Sequence, residues 1–248
     1  MILEPRLEKV LALARKCKAE KCLDIGCGDG SFSVLLRDAF GAERMYGLEI
    51  SEKATEEARK LGLTCVQSDI NKETPLPFED SFFDAIFAGN IIEHLLNPER
   101  FLGEVYRVLK PGGTLLLTTD NLASWHSRLL LLLGYQPYVF PVRFWKPEGA
   151  LGQFLHPKRH KLMEYLDASA GGGIGHVGMF TLRALKEGLE FSGFTVRRVS
   201  GAPYTPQFNV PRVLSVLVSV MEKATSHVPS LASYVIVQSV RSGVVAGN

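Results

Sequence analysis

The chain has 248 residues, of which 46% are hydrophobic and 22% are charged, and its formal net charge is +2. These values indicate a globular protein with one α/β core, or one core with a lid, and exclude a disordered or fibrous chain. Residues 1–121 hold 15 basic and 20 acidic side chains, whereas residues 122–248 hold 13 and 6, so the second half carries the positive field.

Cysteine spacing and apolar runs exclude further classes of protein. The four cysteines, at positions 17, 22, 27 and 65, form no CxxC pair, so we expect neither a disulfide framework nor a metal site, and reduced thiols suit a cytoplasmic protein. The charged N-terminal segment does not resemble a signal peptide. Apolar runs such as Leu129–Leu133 fall far short of the roughly 18 residues that span a bilayer.

The spacing of apolar residues predicts alternating helices and strands over the first half of the chain. The connections between strands are too long for hairpins, which indicates βαβ units and a doubly wound, mostly parallel sheet with helices on both faces. The predicted elements are helix 4–19, strand 21–25, helix 31–40, strand 44–50, helix 51–61, strand 63–69, strand 82–88, helix 97–109 and strand 114–119.

This alternation stops at residue 122. Residues 122–180 mix aromatic side chains with prolines and include four glycines at 168–175, which indicates an inserted lid. The pattern then predicts a helix between Thr181 and Gly193, strand 194–199, helix 210–224 and strand 233–241. We therefore expect three segments: a cofactor-binding core with an N-terminal helix at 1–121, the lid at 122–180, and the rest of the same α/β domain at 181–248.

The first predicted strand runs into a loop with glycines at positions 26, 28 and 30. Glycines permit a tight turn and let a ligand approach the main chain, and the helix that follows presents free N–H groups. A dinucleotide fold uses G-x-G-x-x-G instead, and the carboxylates of Asp24 and Asp29 would repel a diphosphate but attract a sulfonium and an ammonium. The motif therefore favours S-adenosyl-L-methionine (SAM) over NAD. The predicted contacts are Asp24, Gly26, Cys27, Gly28 and Gly30.

Three later strand ends supply the other predicted cofactor contacts. Glu49 can accept hydrogen bonds from both ribose hydroxyls, as an acidic residue at this point does in related folds. Asp69 can accept a hydrogen bond from the exocyclic amine of adenine, and Ile70 can cover one face of the ring. Ligands bind outside the carboxyl ends of parallel strands, so the end of the fourth strand lies near the reacting centre. The residues concerned are Glu49, Ile50, Ser68, Asp69, Ile70, Gly89 and Asn90.

Taken in order, these motifs resemble the class I SAM-dependent methyltransferases, specifically the broad group that includes ubiquinone-type O-methyltransferases. The resemblance implies a seven-stranded sheet with the last strand antiparallel, SAM across the ends of the first three strands, and S-adenosyl-L-homocysteine as the product. The family usually has Pro before Asn where this chain has Asp120-Asn121. The resembling segments are LDIGCGDG (23–30), Glu49, Ser68-Asp69-Ile70, FFDAIFAGNIIEHL (82–95), LKPGGTLLLTTDN (109–121) and HVGMFTLRALKEGLEFSGFTVRRVSG (176–201).

The expected activity is methyl transfer from SAM to a small-molecule acceptor, on oxygen. Asn90 and His94 are the candidate catalytic residues, and histidines 126, 156, 160 and 176 are further candidates for the base. Nucleic-acid amino methyltransferases carry Asn/Asp-Pro-Pro-aromatic at the end of the fourth strand, whereas residues 88–91 read Ala-Gly-Asn-Ile, which disfavours a nucleic-acid substrate.

Several alternatives stay open. The chain could be a catalytically silent SAM-binding sensor or partner subunit, or an NAD-dependent oxidoreductase. The basic cluster 156–161 could face an anionic or lipid-linked acceptor, or be a solvated helix start. The apolar face of helix 211–224 could dock on a membrane surface, form a homodimer, or cover the sheet.

Overall fold

The computed structural model describes residues 3–72, 74–135, 137, 176–204 and 212–243. Helices and strands alternate over the first half of the chain as the apolar spacing predicts. The elements are α1 (Pro5–Ala14), β1 (Lys21–Ile25), α2 (Ser31–Phe40), β2 (Arg44–Glu49), α3 (Glu52–Lys60), β3 (Thr64–Gln67), β4 (Phe83–Gly89), a 3-10 turn (Ile92–His94), α4 (Pro98–Val108), β5 (Leu109–Asp120), α5 (Trp125–Leu132), α6 (Leu182–Phe191), β6 (Phe194–Ala202), α7 (Arg212–Thr225) and β7 (Tyr234–Arg241).

The seven strands form one sheet in the order β3-β2-β1-β4-β5-β7-β6. Strand β7 runs antiparallel to both of its neighbours, and the other pairs are parallel. The predicted fold class, including the antiparallel last strand, is therefore confirmed. The strand order reverses between β1 and β4, and such a reversal opens a ligand crevice at the carboxyl ends of the two strands.

The central strands are buried on both faces, which explains why they are apolar without a polar alternation. Along β5, Leu115 and Leu117 pack into the core on one face, whereas Leu116 packs into the core on the other. The first core contains the apolar sides of α4 and α6, and the second contains those of α1, α2 and α3. Helices thus cover both faces, as the sequence predicts.

Three helix starts are capped by the side chains that the sequence indicates. Ser51 Oγ accepts a hydrogen bond from the Ala54 amide at 3.4 Å and Thr181 Oγ1 one from the Ala184 amide at 3.2 Å. The Asn97 side chain accepts from the amide three residues on, at 2.9 Å. Each cap satisfies an N–H that the first helical turn leaves without a partner.

Two predicted boundaries are wrong by five residues each. Helix α1 ends at Ala14 rather than near residue 19, because the amides of Glu20 and Lys21 donate to Asp84 Oδ2 (3.1 and 2.9 Å) and draw the chain into β1. Strand β5 begins at Leu109 rather than Thr114. The pairing with β4 skips the intervening Lys-Pro-Gly-Gly segment, which interrupts the register instead of preceding the strand.

The predicted lid lies largely outside the described residues. Of residues 122–180, the structure describes 122–135, 137 and 176–180, and the first of these stretches contains α5. The lid and the three-segment division of the chain therefore stay predictions. Among the described helices, none is both long and apolar enough to cross a membrane.

Candidate functional site

The loop after β1 holds its three glycines in left-handed conformations, with φ of 77° at Gly26, 56° at Gly28 and 80° at Gly30. A Cβ atom on Gly26 would lie 2.2 Å from Ile91 Cδ1, and one on Gly30 would lie 3.0 Å from Ala58. A Cβ on Gly28 would meet no described atom within 4 Å. The first and third glycines therefore serve packing as well as the turn, whereas the second borders open space that a ligand can fill.

Glu49, at the end of β2, joins this loop to the start of α3. Its Oε2 accepts a hydrogen bond from the Gly28 amide at 2.9 Å, and its Oε1 accepts one from the Ser51 amide at 2.9 Å. An ionised carboxylate has about four acceptor positions, so capacity for ribose hydroxyls remains. The residue predicted to bind ribose thus stands against the open space at Gly28.

Asp24 lies under the loop rather than beside it, with only 3% of its surface exposed. Burial raises the pKa of Asp24 to about 7; the hydrogen bond that Ser33 Oγ donates at 2.6 Å lowers it, and the charge of Glu49 raises it. Two carboxyl groups close enough to perturb each other favour a cationic ligand over an anionic one. The acidic surroundings and the space at Gly28 therefore fit an adenosyl sulfonium.

Cys27 contributes its main chain to the loop, because its side chain points into the core. Its Sγ lies 3.5 Å from Cys65 Sγ, and a Cβ on Gly47 would be 2.6 Å from it. Burial raises the pKa of the Cys27 thiol, so the sulfur stays neutral. Cys27 can therefore contact a ligand in the loop through its backbone and not through its side chain.

The end of β3 forms a turn near the same cleft. The Ser68 amide donates to the Glu49 carbonyl at 2.9 Å, and Asp69 Oδ1 accepts from the Asn71 amide at 3.0 Å. Asp69 therefore caps a turn through Oδ1. Its Oδ2 is the atom that would accept a hydrogen bond from the exocyclic amine of adenine. Ile50 is 37% exposed, whereas Ile70 packs partly against the core.

Asn90 follows β4 in a left-handed conformation, with φ of 54°. Its Oδ1 accepts hydrogen bonds from Thr118 Oγ1 at 2.9 Å and from Arg6 Nη1. The Arg6 guanidinium also lies 4.6 Å from the centre of the Tyr234 ring. Helix α1 therefore reaches the predicted reacting centre through Arg6, a residue that the sequence analysis did not single out.

The ends of β4 and β5 bring together two carboxyl groups and two imidazoles, namely Glu93, His94, Asp120 and His176. The rings of His94 and His176 lie 4.7 Å apart between centroids, and His176 Nε2 lies 3.8 Å from Asp120 Oδ2. We call these four residues the acid–imidazole cluster. Of them, only His94 and His176 were among the candidate bases, although Glu93 precedes His94 in the same motif.

Both carboxyl groups of the acid–imidazole cluster hold protons more tightly than usual. Burial raises the pKa of Glu93 to about 7, the charge of Asp120 adds to this rise, and His176 opposes it. Burial also raises the pKa of Asp120, against the lowering influence of His176, Arg6 and His126. Buried carboxyl groups with raised pKa values are candidates for proton transfer.

The remaining candidate bases fall elsewhere. His126 Nε2 lies 2.9 Å from Ser124 Oγ, and His126 Nδ1 lies 3.4 Å from Glu222 Oε1, in a buried network that joins helices. The other two histidines, at 156 and 160, lie outside the described residues, as does the basic cluster 156–161.

Comparisons with known proteins agree with this geometry. Residues 23–117 match the family model described as a methyltransferase domain. A Mycolicibacterium smegmatis protein named "probable S-adenosylmethionine-dependent methyltransferase" is 34% identical over 110 residues, which are 44% of this chain and 41% of the relative. The Listeria welshimeri demethylmenaquinone methyltransferase is 29% identical over 143 residues, 54% of this chain and 59% of that protein. The chain thus spans about half the length of these curated relatives.

Solved structures share the whole fold at low identity. The complex of the Haloferax volcanii Trm112 methyltransferase activator with its candidate methyltransferase gives a TM-score of 0.62 at 18% identity, covering 96% of this chain and 91% of that one. An S-adenosylmethionine-dependent methyltransferase from Mesorhizobium loti gives 0.57 at 19% identity, with coverages of 94% and 96%. Residues 23–117 thus match a methyltransferase domain and the solved structures share the fold, in agreement with the resemblance to the class I SAM-dependent methyltransferases, whose cofactor is S-adenosyl-L-methionine.

Proposed function

We propose that this protein binds SAM at the carboxyl ends of β1, β2 and β3 and transfers its methyl group to an oxygen of a small-molecule acceptor. The observation that carries the proposal is the open space at Gly28. The carboxylate of Glu49 borders this space, and the carboxyl group of Asp24 is buried beneath the same loop. The proposed contacts are Asp24, Gly26, the backbone of Cys27, Gly28, Gly30, Glu49, Ile50, Ser68, Asp69, Ile70, Gly89 and Asn90.

The acceptor is proposed to lie between Asn90 and the acid–imidazole cluster. When bound, SAM supplies a methyl group on a positively charged sulfur, and the acceptor oxygen must attack it in line. The protein's part is to hold the oxygen in position, to exclude water and to take the hydroxyl proton. Asp120, whose pKa burial raises, is the carboxyl group proposed to receive that proton.

The proposed acceptor class is a small molecule with an ionisable hydroxyl group. The Listeria relatives are named for a quinone acceptor, which supports a quinone-type small molecule and does not bear on which atom is methylated. The clustered carboxyl and imidazole groups suit removal of a proton from oxygen better than recognition of a nucleic-acid backbone, which uses lysine and arginine. An anionic or lipid-linked acceptor and a homodimer stay predictions from the sequence.

The test combines cofactor binding with turnover. Calorimetry should show binding of SAM and S-adenosylhomocysteine but not of NAD, and Glu49→Gln should weaken SAM binding about 10- to 100-fold, because hydrogen bonds to a charged carboxylate contribute about 1.5–3 kcal/mol. Glu43→Gln, on an exposed residue next to β2, is the matched control and should bind as the wild type does.

Labelled SAM with a panel of quinols and phenols then tests turnover, and product NMR identifies the methylated atom. Binding of NAD in place of SAM would refute the proposal at its first step. Tight SAM binding without turnover on the whole panel would favour the silent sensor instead.

A further inference from the structure

Three side chains of the acid–imidazole cluster form a set that can hold a metal ion. One ligand atom from each of Glu93, His94 and His176 lies within 4.8 Å of the others. In a site with metal–ligand bonds of about 2.0–2.2 Å, neighbouring ligand atoms stand about 3–4 Å apart. Small side-chain rotations would therefore bring these three atoms to coordination distance.

Glu93 supplies an independent sign of a ligand at this place. The residue is 0% exposed, and its Oε2 accepts a hydrogen bond from Thr119 Oγ1 at 2.9 Å. Its Oε1 is buried and has no hydrogen-bond donor among the described residues. A buried carboxylate oxygen without a donor is costly, so the structure calls for a further group on that oxygen.

Backbone hydrogen bonds hold Glu93 against the C-terminal end of the predicted lid. The carbonyl oxygen of Glu93 accepts hydrogen bonds from the amides of Val177 at 2.8 Å and Gly178 at 3.2 Å. Asp120 Oδ2 lies 3.8 Å from His176 Nε2, and a carboxylate next to a ligating imidazole is the usual outer partner in metal sites. Thr119 orients the carboxylate of Glu93 through the hydrogen bond that its Oγ1 donates to Glu93 Oε2.

We propose that Glu93, His94 and His176 bind one divalent transition-metal ion, whose open positions take the oxygen atoms of the acceptor. The proposal deepens the function proposed above and rests on it for the identity of the acceptor. Two imidazoles and one carboxylate suit Fe²⁺, Co²⁺, Zn²⁺ or Mn²⁺ better than Mg²⁺, which prefers an all-oxygen set.

This proposal revises the expectation that the chain has no metal site. That expectation followed from the cysteine spacing, and cysteine takes no part in the set. Two of the ligands are adjacent in sequence and the third, His176, lies near the C-terminal end of the predicted lid, so the sequence contains no compact ligand motif.

The test is a Co²⁺ titration of the whole chain, produced without a polyhistidine tag and freed of metal with EDTA. The visible absorption of protein-bound Co²⁺ reports its ligands directly and does not depend on turnover. The wild type should bind one Co²⁺ per chain, and Zn²⁺ should displace it. His176→Ala and Glu93→Gln should each weaken Co²⁺ binding by about tenfold or more, since even outer partners of a site contribute about 10- to 100-fold.

His227→Ala is the control, because His227 is exposed and lies outside the cluster; this variant should bind Co²⁺ as the wild type does. Circular dichroism checks that each variant is folded. Absence of a one-to-one Co²⁺ complex in the wild type would overturn the proposal, whether or not the variants fold. Equal Co²⁺ binding by the wild type and the folded cluster variants would overturn it as well.

The same samples separate this proposal from the proposed function. SAM binding, measured by calorimetry, should be unchanged in His176→Ala, and Co²⁺ binding should be unchanged in Glu49→Gln. SAM binding and turnover without any metal site would refute the metal proposal and leave the function standing. A Co²⁺ site in a chain that ignores SAM would refute the function and leave the metal site standing.

Discussion

Asp24 is a buried acid in a place where a cationic ligand is proposed. Its pKa of about 7 in the folded chain lies above the ordinary value of about 3.9, because burial disfavours the charged form. Between these two values the folded chain binds more protons than the unfolded chain, so ionisation of Asp24 lowers stability as the pH rises from about 4 to about 7. A cation in the cleft has the opposite effect and favours the ionised form.

From this follows a pH-dependent affinity. SAM should bind more tightly as the pH rises toward about 7, because below that pH Asp24 must lose a proton for the favourable charge pairing to form. Asp24→Asn should bind SAM more weakly and lose this part of the pH dependence. Calorimetry of both proteins between about pH 5.5 and 8, a range that brackets the Asp24 pKa of about 7, measures the difference in SAM affinity.

The cofactor's own amino group titrates equally for both proteins, so the comparison isolates Asp24. Thermal unfolding without ligand gives an independent check: the stability of Asp24→Asn relative to the wild type should increase as the pH rises through the same range. Parallel pH profiles for the two proteins would show that Asp24 stays far from the cofactor's charge.

At the scale of elements, the loop between β1 and α2 separates glycines that serve the fold from one that serves a ligand. Gly26 and Gly30 each lie against a neighbouring side chain or backbone, whereas the space beside Gly28 is open among the described residues. Gly41, after the end of α2, has a similar φ of 66° and similar open space, but lies away from the cleft. Gly28 and Gly41 therefore have similar backbone conformations and similar open space, and the main difference is that only Gly28 lies beside the proposed cofactor site.

Alanine at these two positions tests that difference. Gly28→Ala and Gly41→Ala should destabilise the chain by a similar amount, about 1–2 kcal/mol, because both place a Cβ in a left-handed conformation. Only Gly28→Ala should abolish SAM binding, since its Cβ enters the space proposed for the cofactor. Thermal unfolding and SAM calorimetry measure the two effects. Retained SAM binding by Gly28→Ala would place the cofactor elsewhere.

At the scale of the whole molecule, one buried carboxylate ties the second half of the chain together. Glu222 on α7 accepts hydrogen bonds from Trp125 Nε1 at 2.9 Å, Ser233 Oγ at 2.7 Å and the Tyr204 amide at 2.7 Å. Burial raises the pKa of Glu222, but these bonds and the nearby His126 outweigh it and hold the pKa below its usual value. Helices α5 and α7 and the ends of β6 and β7 thus share one acceptor.

Glu222→Gln should lower the stability of the chain by about 1–3 kcal/mol at pH 7, because a charged acceptor of several hydrogen bonds is lost. In a chain of this size that corresponds to a fall of about 2–4 °C in Tm for each kcal/mol. A carboxyl group whose pKa is lower in the folded chain stabilises the fold at pH values above its unfolded pKa. The difference in stability between the wild type and Glu222→Gln should therefore narrow as the pH falls below about 4.

Thermal unfolding at a series of pH values measures this difference in stability. Glu190→Gln, on the exposed surface of α6, is the control. The control should unfold as the wild type does at every pH. Equal Tm values for wild type and Glu222→Gln at pH 7 would show that the network contributes little to the stability of the fold.

The amino-acid sequence by itself determined the alternating elements, the fold class and the approach of Glu49 to the glycine loop. These are readable because each depends on local spacing: apolar residues repeat with the period of a helix or fill a buried strand, and Gly28 and Glu49 stand at the ends of neighbouring strands. The boundaries at Ala14 and Leu109 were missed because distant partners, Asp84 and β4, decide them.

Only the tertiary structure decided which side chains meet at the predicted reacting centre. Arg6 and Asn90 are 84 positions apart. Glu93 precedes the predicted lid, whereas His176 lies near the C-terminal end of the lid. Asp120 departs from the family pattern, yet it stands within 3.8 Å of His176. Such contacts leave no periodic trace in the chain, because they arise where separate strand ends converge on one edge of the sheet.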